Sequence, residues 1–400
     1  MYCTKKLTDD LTWVGVNDRH LSLFENVYPI EKGVSYNSYV LLDEKTVLFD
    51  TVDKCSSMQF FENVSHVLGD RKLDYIIVNH MEPDHAATLQ ETVEKYPEAK
   101  VVCNKKALEM IKQFFDFDID SKVTVIAEGD TLNTGKHNLT FVMAPMVHWP
   151  EAMVTYDTVD KILFSADAFG TFGAMSGNIF ADEVNFETEW LDEARRYYTN
   201  IVGKYGMQVQ ALLKKASALE IKMICSLHGP VWRKNIEWFI DKYQKWSSYT
   251  PEENSVLILV GSIYGHTENA AEVLATKLSD LGIKDLKFMD VSRVHPSYVV
   301  AEAFKYSHIV VAAASYNTGI FTPMETVLLD LKAHNLQNRT FSIMYNGSWA
   351  PVKETAFTDI LCAMKNSTIL NNVIKITSSF KSSREAELDA MAQEIKESIK

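Results

Sequence analysis

The fold of this 400-residue chain turns on Asn79-His80-Met81-Glu82-Pro83-Asp84-His85. Four side chains able to hold a metal, His80, Glu82, Asp84 and His85, follow the apolar run Leu73–Asn79. Ile76, Ile77 and Val78 have the pattern of a buried strand, which puts His80 at a strand end. Pro83 lacks an amide donor and turns Glu82 away from helical geometry, so Met81–Asp84 is expected as a turn. Asp84 is expected as the N-cap of a helix resuming at His85-Ala86-Ala87-Thr88-Leu89. A turn can aim such side chains at one point, whereas a helix spreads them around its circumference.

Three more candidate ligands stand at or just after strand ends: His148 after Phe141–Val147, Asp167 after Ile162–Ala166, and His228 after Met223–Leu227. A lone histidine or aspartate at such a place is ordinarily structural. The six-residue cluster makes that reading untenable for the set. One metal takes at most about six donors, and seven side chains with a bridging carboxylate suit two.

Around these ligands the first part of the chain is rich in strands: Leu11–Val16, Ser35–Leu42 and, after the turn Asp43-Glu44-Lys45, Thr46–Phe49. From Leu73 strands and helices alternate: strand 73–79, helix 86–96, strand 99–103, helix 105–115 and strand 122–127. Strands return at Leu139–Ala144, Ala152–Tyr156 and Lys161–Ser165, with helices at Glu189–Tyr205 and Met207–Ala218 and a strand at Met223–Ser226. The expected architecture is an α/β/β/α sandwich over residues 1–250.

Tyr249-Thr250-Pro251-Glu252-Glu253-Asn254 reads as a short polar linker. Beyond it, over 254–400, five strands (256–261, 286–291, 308–314, 340–345, 373–377) alternate with five helices (267–281, 297–306, 323–334, 350–364, 382–399). This rhythm predicts a doubly wound parallel sheet. Three loops fall at the carboxyl ends of its strands: Ser262-Ile263-Tyr264-Gly265-His266-Thr267, Ser315-Tyr316-Asn317-Thr318-Gly319 and Asn346-Gly347-Ser348-Trp349. The first, before a helix, suits a phosphate and lacks the G-x-G-x-x-G spacing of a dinucleotide loop. The others offer backbone bonds to the edge of a planar ligand and an indole to stack on its face.

The 40 Lys and Arg against 53 Asp and Glu leave a formal charge of −13, which argues against nucleic acid or an anionic membrane as partner. No apolar run reaches the roughly 18–20 residues of a membrane span, and Met1–Asp10 lacks the apolar core of a secretory signal. Cys3, Cys55, Cys103, Cys225 and Cys362 form no C-x-x-C pair. They are expected as buried structural thiols in a reducing cytoplasm.

The two constellations resemble flavodiiron proteins (A-type flavoproteins), in which a metallo-β-lactamase-like domain precedes a flavodoxin-like one. The matching words are Asn79–His85, His148-Trp149-Pro150, Phe164-Ser165-Ala166-Asp167-Ala168-Phe169-Gly170 and Leu227-His228-Gly229-Pro230, with the three later loops. The resemblance implies one iron on His80, Glu82 and His148, a second on Asp84, His85 and His228, and Asp167 bridging them. It implies FMN in the second domain and electrons passing from an external donor through FMN to the diiron site, reducing O2 to water, NO to N2O, or both. The donor it implies is rubredoxin, with the deazaflavin F420H2 as the alternative, and the assembly a cytoplasmic homodimer or a dimer of dimers. The class expected from the resemblance is the two-domain one, without a fused rubredoxin module. The competing reading is a dizinc metallo-β-lactamase-type hydrolase fused to a flavodoxin, where histidine usually stands in place of Glu82. Against the family pattern, Ala86-Ala87 replaces Ser-Gly, Ala314-Ser315 replaces Pro-Thr, and Glu25 stands where some members have a pocket histidine. Glu25 and, from the pair Tyr197-Tyr198, Tyr198 are the candidate catalytic residues; Asp50 is a candidate to orient a ligand.

Overall fold

The computed structural model describes residues 1–399. Its contacts divide the chain into two compact units, one made of Met1–Tyr198 and Met207–Gln244, the other of Thr199–Gly206 and the chain from Lys245 onward.

The first unit is built on two sheets. One has seven strands in the order Lys5–Lys6, Leu11–Trp13, Tyr39–Leu42, Thr46–Phe49, Tyr75–Ile77, Lys100–Asn104, Val123–Ile126. Its pairs from Thr46–Phe49 onward are parallel. The other has five, Thr131–Asn133, Asn138–Met143, Met153–Asp157, Ile162–Phe164 and Met223–Cys225. The core lies between them: Trp13, Tyr39, Val47, Phe49 and Ile77 meet Leu139, Phe141, Met153, Phe164 and Cys225. Phe49 and Phe164 stack at 3.7 Å across the sheets. With helices such as Ser57–Leu68, Lys105–Phe114 and Ile236–Ser247, this is the αββα sandwich expected from the sequence.

The second unit is a parallel sheet in the order Lys287–Asp290, Glu253–Gly261, Tyr306–Tyr316, Thr340–Asn346, with Thr368–Ile369 and Ile374–Ile376 both pairing on the last. Counting the two short pieces as a fifth strand gives the flavodoxin order 2-1-3-4-5. Apolar clusters cover both faces, as a doubly wound sheet requires.

Several expectations need correction. Asp84 is not an N-cap: Glu82 holds that place with extended ψ (139°), Pro83 is the first helical residue, and Asp84 and His85 lie inside the single turn Pro83–Ala86. Proline is preorganised for that position. The expected helix 86–96 is broken there because the His85 carbonyl accepts from the Thr51 amide and hydroxyl; a second helix runs Leu89–Lys95. The helix expected over Glu189–Tyr205 becomes Leu191–Tyr197, a π-helical turn Tyr198–Val202 and a short 3-10 turn. The helix expected from residue 350 starts at Glu354, after Lys353 as an extended N-cap (ψ 144°). Helix Ile236–Ser247, with Phe239, Tyr243 and Trp246 buried, was not anticipated. Cys103 and Cys225 are buried, whereas Cys3, Cys55 and Cys362 are exposed.

The segment read as a linker is ordered. Tyr249 is buried, its hydroxyl donates to the Gly203 carbonyl at 2.9 Å, and the Trp246 indole donates to Glu252 at 2.8 Å. Arg339, fully buried, donates to the carbonyls of Tyr249, Ala303, Phe304 and Gln337. Ala303 and Phe304 lie in the last turn of helix Pro296–Lys305, so one guanidinium caps that helix and fastens the segment.

In the first unit a buried histidine acts as a clamp. His137 Nδ1 lies 2.7 Å from Asp157 Oδ2 and Nε2 lies 3.3 Å from Asp10 Oδ2. The hydrogen bond to Asp157 carries its pKa above the usual value, against the effect of burial. A folded pKa above the unfolded one gives stability that is complete below about 6.5 and fades as pH rises through the folded value. The stability advantage of wild type over His137→Gln is therefore expected to shrink between pH 6 and pH 9 in urea unfolding.

Candidate metal centre and flavin cleft

Each metal-binding side chain is delivered by a strand end or its turn. The turn after Tyr75–Ile77 is held by Asp50, whose carboxylate accepts from the Asn79 amide (2.7 Å), the Asn79 side chain (2.8 Å) and the His80 amide (3.1 Å). Burial pushes the Asp50 carboxyl up to about 6 against these hydrogen bonds. Asp50 thus orients the backbone of the turn rather than a ligand side chain.

All seven predicted ligands come together in two groups, His80, Glu82, His148 and Asp167, and Asp84, His85 and His228. In the first, His148 Nε2 lies 2.9 Å from Glu82 Oε2 and 3.0 Å from Asp167 Oδ2. His80 Nε2 lies 3.3 Å from Glu82 Oε2 and 3.4 Å from Asp167 Oδ2. In the second, Asp84 Oδ2 lies 3.3 Å from His85 Nε2 and 3.2 Å from His228 Nε2, and the two Nε2 atoms are 3.0 Å apart. The other Asp167 oxygen, Oδ1, reaches this group, 3.2 Å from His85 Nε2. Donors held about 2.1 Å from one cation stand roughly 3.0–3.4 Å apart, so the spacing fits one ion in each group with Asp167 between them.

The surroundings point the lone pairs inward. His80 Nδ1 is 2.8 Å from Glu151 Oε1, and His228 Nδ1 is 2.7 Å from the Ser35 carbonyl. Both rings therefore donate from Nδ1 and leave Nε2 for a metal. Both Asp84 oxygens and Asp167 Oδ1 are buried without a hydrogen bond among the described residues. Burial alone would hold the His80 pKa down, yet Asp167, Glu151 and Glu82 raise it well above the usual value. Burial likewise opposes, and Asp167 and Glu82 outweigh it, in carrying His148 to about 9. The same imidazoles hold the buried Asp167 carboxyl far down. A site with this much negative charge out of water calls for cations.

Aromatic rings wall it off: Trp149 lies 5.5 Å from His80, and Phe24 and Tyr36 lie 5.4 and 6.1 Å from His228. Of the tyrosine pair, Tyr197 faces the site. Its ring is 5.4 Å from His228, and its buried hydroxyl has no hydrogen-bond partner among the described residues. Tyr198 packs on Tyr243 at 4.9 Å. Gly170 makes room for Tyr197, since a Cβ there would lie 2.9 Å from its ring. Glu25 sits on the exposed rim in a left-handed turn (φ 49°). Partial burial and the neighbouring Glu82 charge push its carboxyl up to about 8. Glu151 was missed by sequence reasoning; its only signal is a carboxylate three residues after His148.

In the second unit the three loops line one cleft of about 380 Å³ at the carboxyl ends of the strands. Ser262, Ile263, Tyr264, His266, Thr267, Ser315, Asn317, Thr318, Asn346, Gly347, Ser348 and Trp349 border it; Gly265, Tyr316 and Gly319 belong to the same loops but not to the lining. Ala314, Ala350 and Ser378 line it too and were not anticipated. Gly265 takes a left-handed conformation (φ 86°) just before helix His266–Asp280, and nothing lies within 4 Å of where its Cβ would be. That leaves the first amides of the helix open to an anion. Asn317 and Thr318 turn the next loop with φ of 50° and 64°; positive φ at a β-branched residue is costly and collects at binding sites. Asn346 donates to Thr267 Oγ1 (3.1 Å) and the Ser378 carbonyl (3.0 Å), and its Oδ1 is buried with no partner among the described residues. Trp349 and Tyr264 stand exposed at the border. An anion cradle, an unpaired amide oxygen and flat rings fit a flavin mononucleotide.

The ODP family beta lactamase matches residues 34–229. The anaerobic nitric oxide reductase flavorubredoxin of Klebsiella pneumoniae subsp. pneumoniae is 30% identical over 347 residues, 86% of this chain and 71% of that protein. The flavorubredoxin of Aliivibrio salmonicida is 35% identical over 320 residues, 78% of this chain and 63% of the relative. The chain thus spans a little under two thirds of that relative's length. Among solved structures, rubredoxin oxygen:oxidoreductase from Desulfovibrio gigas superposes with a TM-score of 0.91 at 28% identity, covering 99% of this chain and 98% of that one. The flavodiiron protein from Giardia intestinalis gives 0.91 at 25% identity, covering 99% and 97%. The chain belongs to the flavodiiron protein family.

Two outcomes follow from this geometry. Glu82→Ala is expected to lower bound metal by about one ion per chain without changing flavin content, read by metal analysis and absorbance. Gly347→Ala places a Cβ 2.6 Å from Pro351 Cα and is expected to weaken FMN binding by about tenfold, or 1.4 kcal/mol, in a fluorescence titration.

Proposed function

We propose that this protein is a flavodiiron reductase that takes electrons from an external donor through FMN to a diiron site and reduces O2 to water, NO to N2O, or both. The observation that carries the reading is the ligand set. Glu82 Oε2 stands 2.9 Å from His148 Nε2, adding a hard anionic donor where a zinc hydrolase would use histidine. Three carboxylates with four imidazoles favour iron over zinc. When bound, the metal pair supplies a place for a diatomic to accept electrons, and the flavin supplies them.

The chain's own groups shape the reaction. Asp167 holds the two metal positions together, and the Tyr36, Phe24 and Trp149 rings keep bulk water from the imidazoles. The Tyr197 hydroxyl, unpaired and buried, would be a hydrogen-bond donor to a diatomic entering the pocket, and takes the role expected of Tyr198. Glu25 on the rim is the group placed to relay protons, of which O2 needs four and a pair of NO two. Rubredoxin is the proposed donor, with F420H2 as the alternative. The relative from Desulfovibrio gigas bears the name rubredoxin oxygen:oxidoreductase. We place the protein in the cytoplasm as a homodimer; its five cysteines are free, and no helix among the described residues is long and apolar enough to cross a membrane.

Metal and flavin analysis followed by anaerobic reduction and stopped-flow mixing with O2 and with NO tests this. The expected result is about two irons and one FMN per chain and rapid reoxidation by at least one gas. Two zincs with esterase or lactamase activity would overturn the reading.

A further inference from the structure

The two metal positions have closely similar inner ligands, two imidazoles, one carboxylate and a share of Asp167 each, but different backing. Behind His80 stands Glu151, itself 1% exposed, with Oε1 2.8 Å from Nδ1. The residue is held once at its carboxylate and once at its backbone. The Met81 amide donates to the same Oε1 at 2.9 Å, and the Glu151 carbonyl accepts from Asn104 Nδ2 at 2.6 Å. Its other oxygen, Oε2, is buried with no partner among the described residues. At the second position His228 is backed only by the neutral Ser35 carbonyl at 2.7 Å, and His85 Nδ1 is buried with no partner among the described residues.

A carboxylate behind an imidazole draws its proton and raises its basicity towards a metal; a carbonyl does so less, and an unpartnered nitrogen not at all. A buried charge acts further through low dielectric. We propose that Glu151 is a positioning residue that makes the two metal sites unequal, so that the cation on His80, Glu82 and His148 is held more tightly than the cation on Asp84, His85 and His228. This deepens the proposed function, since it rests on both ligand groups each holding a cation, but it does not depend on iron, flavin or turnover.

The test is titration of metal-free full-length protein with Co(II) alone, followed by its visible absorption and by calorimetry. Wild type is expected to take up two equivalents in steps at least tenfold apart in affinity. In Glu151→Gln the tighter step should weaken by about 10–100-fold and the other by less than about threefold. The weakened step should be the one lost in Glu82→Ala and retained in Asp84→Ala. Two wild-type steps of equal affinity would overturn the proposal, even if Glu151→Gln does not fold. So would equal weakening of both steps, which is what a merely structural role predicts, or no change in either. Should the metal-free protein bind two Co(II) as expected while the separately iron-loaded, flavin-replete protein reduces neither gas, the proposed function would be refuted and this inference would stand.

Discussion

Mutual repulsion among buried carboxylates is the constraint on which the first unit depends. Glu82, Asp84 and Asp167 converge with four imidazoles in a pocket that the surrounding rings keep dry. Without cations such an assembly survives only if the imidazoles take up protons, and the upward shifts of His80 and His148 are that response. The scaffold opposes collapse at several points. Asp50 ties down the backbone of the metal turn, Thr51 captures the His85 carbonyl, and Glu151 and the Ser35 carbonyl fix the rings from behind. None of these four touches a metal position; all of them decide where the donors point.

The second unit meets a different demand. A parallel sheet covered on both faces gathers its strand carboxyl ends at one edge, and the loops there must stay open around a large planar guest. The solution is local backbone strain at Asn317 and Thr318, left-handed Gly265 ahead of a long helix, and Asn346 bracing two loops. Strain of about 1–3 kcal/mol per residue is tolerated where the surrounding structure over-determines it.

The metal ligands were legible because chemistry-bearing residues at strand ends are conspicuous against apolar runs. The flavin loops were legible because the alternation of strand and helix told where carboxyl ends must lie. What stayed hidden depends on contacts made across the fold. Nothing in the sequence distinguishes Glu151 from a surface glutamate until His80 is seen beside it. Tyr197 and Tyr198 differ only in which way a helix turns, and a π-helical turn just after them makes periodicity a poor guide. Helix Ile236–Ser247 carries its apolar stripe on Phe239, Tyr243 and Trp246, a pattern that is legible in the sequence. The break at Ala87-Thr88 could not be read locally, because the residue that causes it, Thr51, is far away in the chain.

The bracing by Asn346 has a consequence for how the protein is assembled. Its amide joins the helix start at Thr267 to the loop at Ser378 through bonds within the polypeptide alone. That bridge is set by folding and does not depend on any contact the flavin makes.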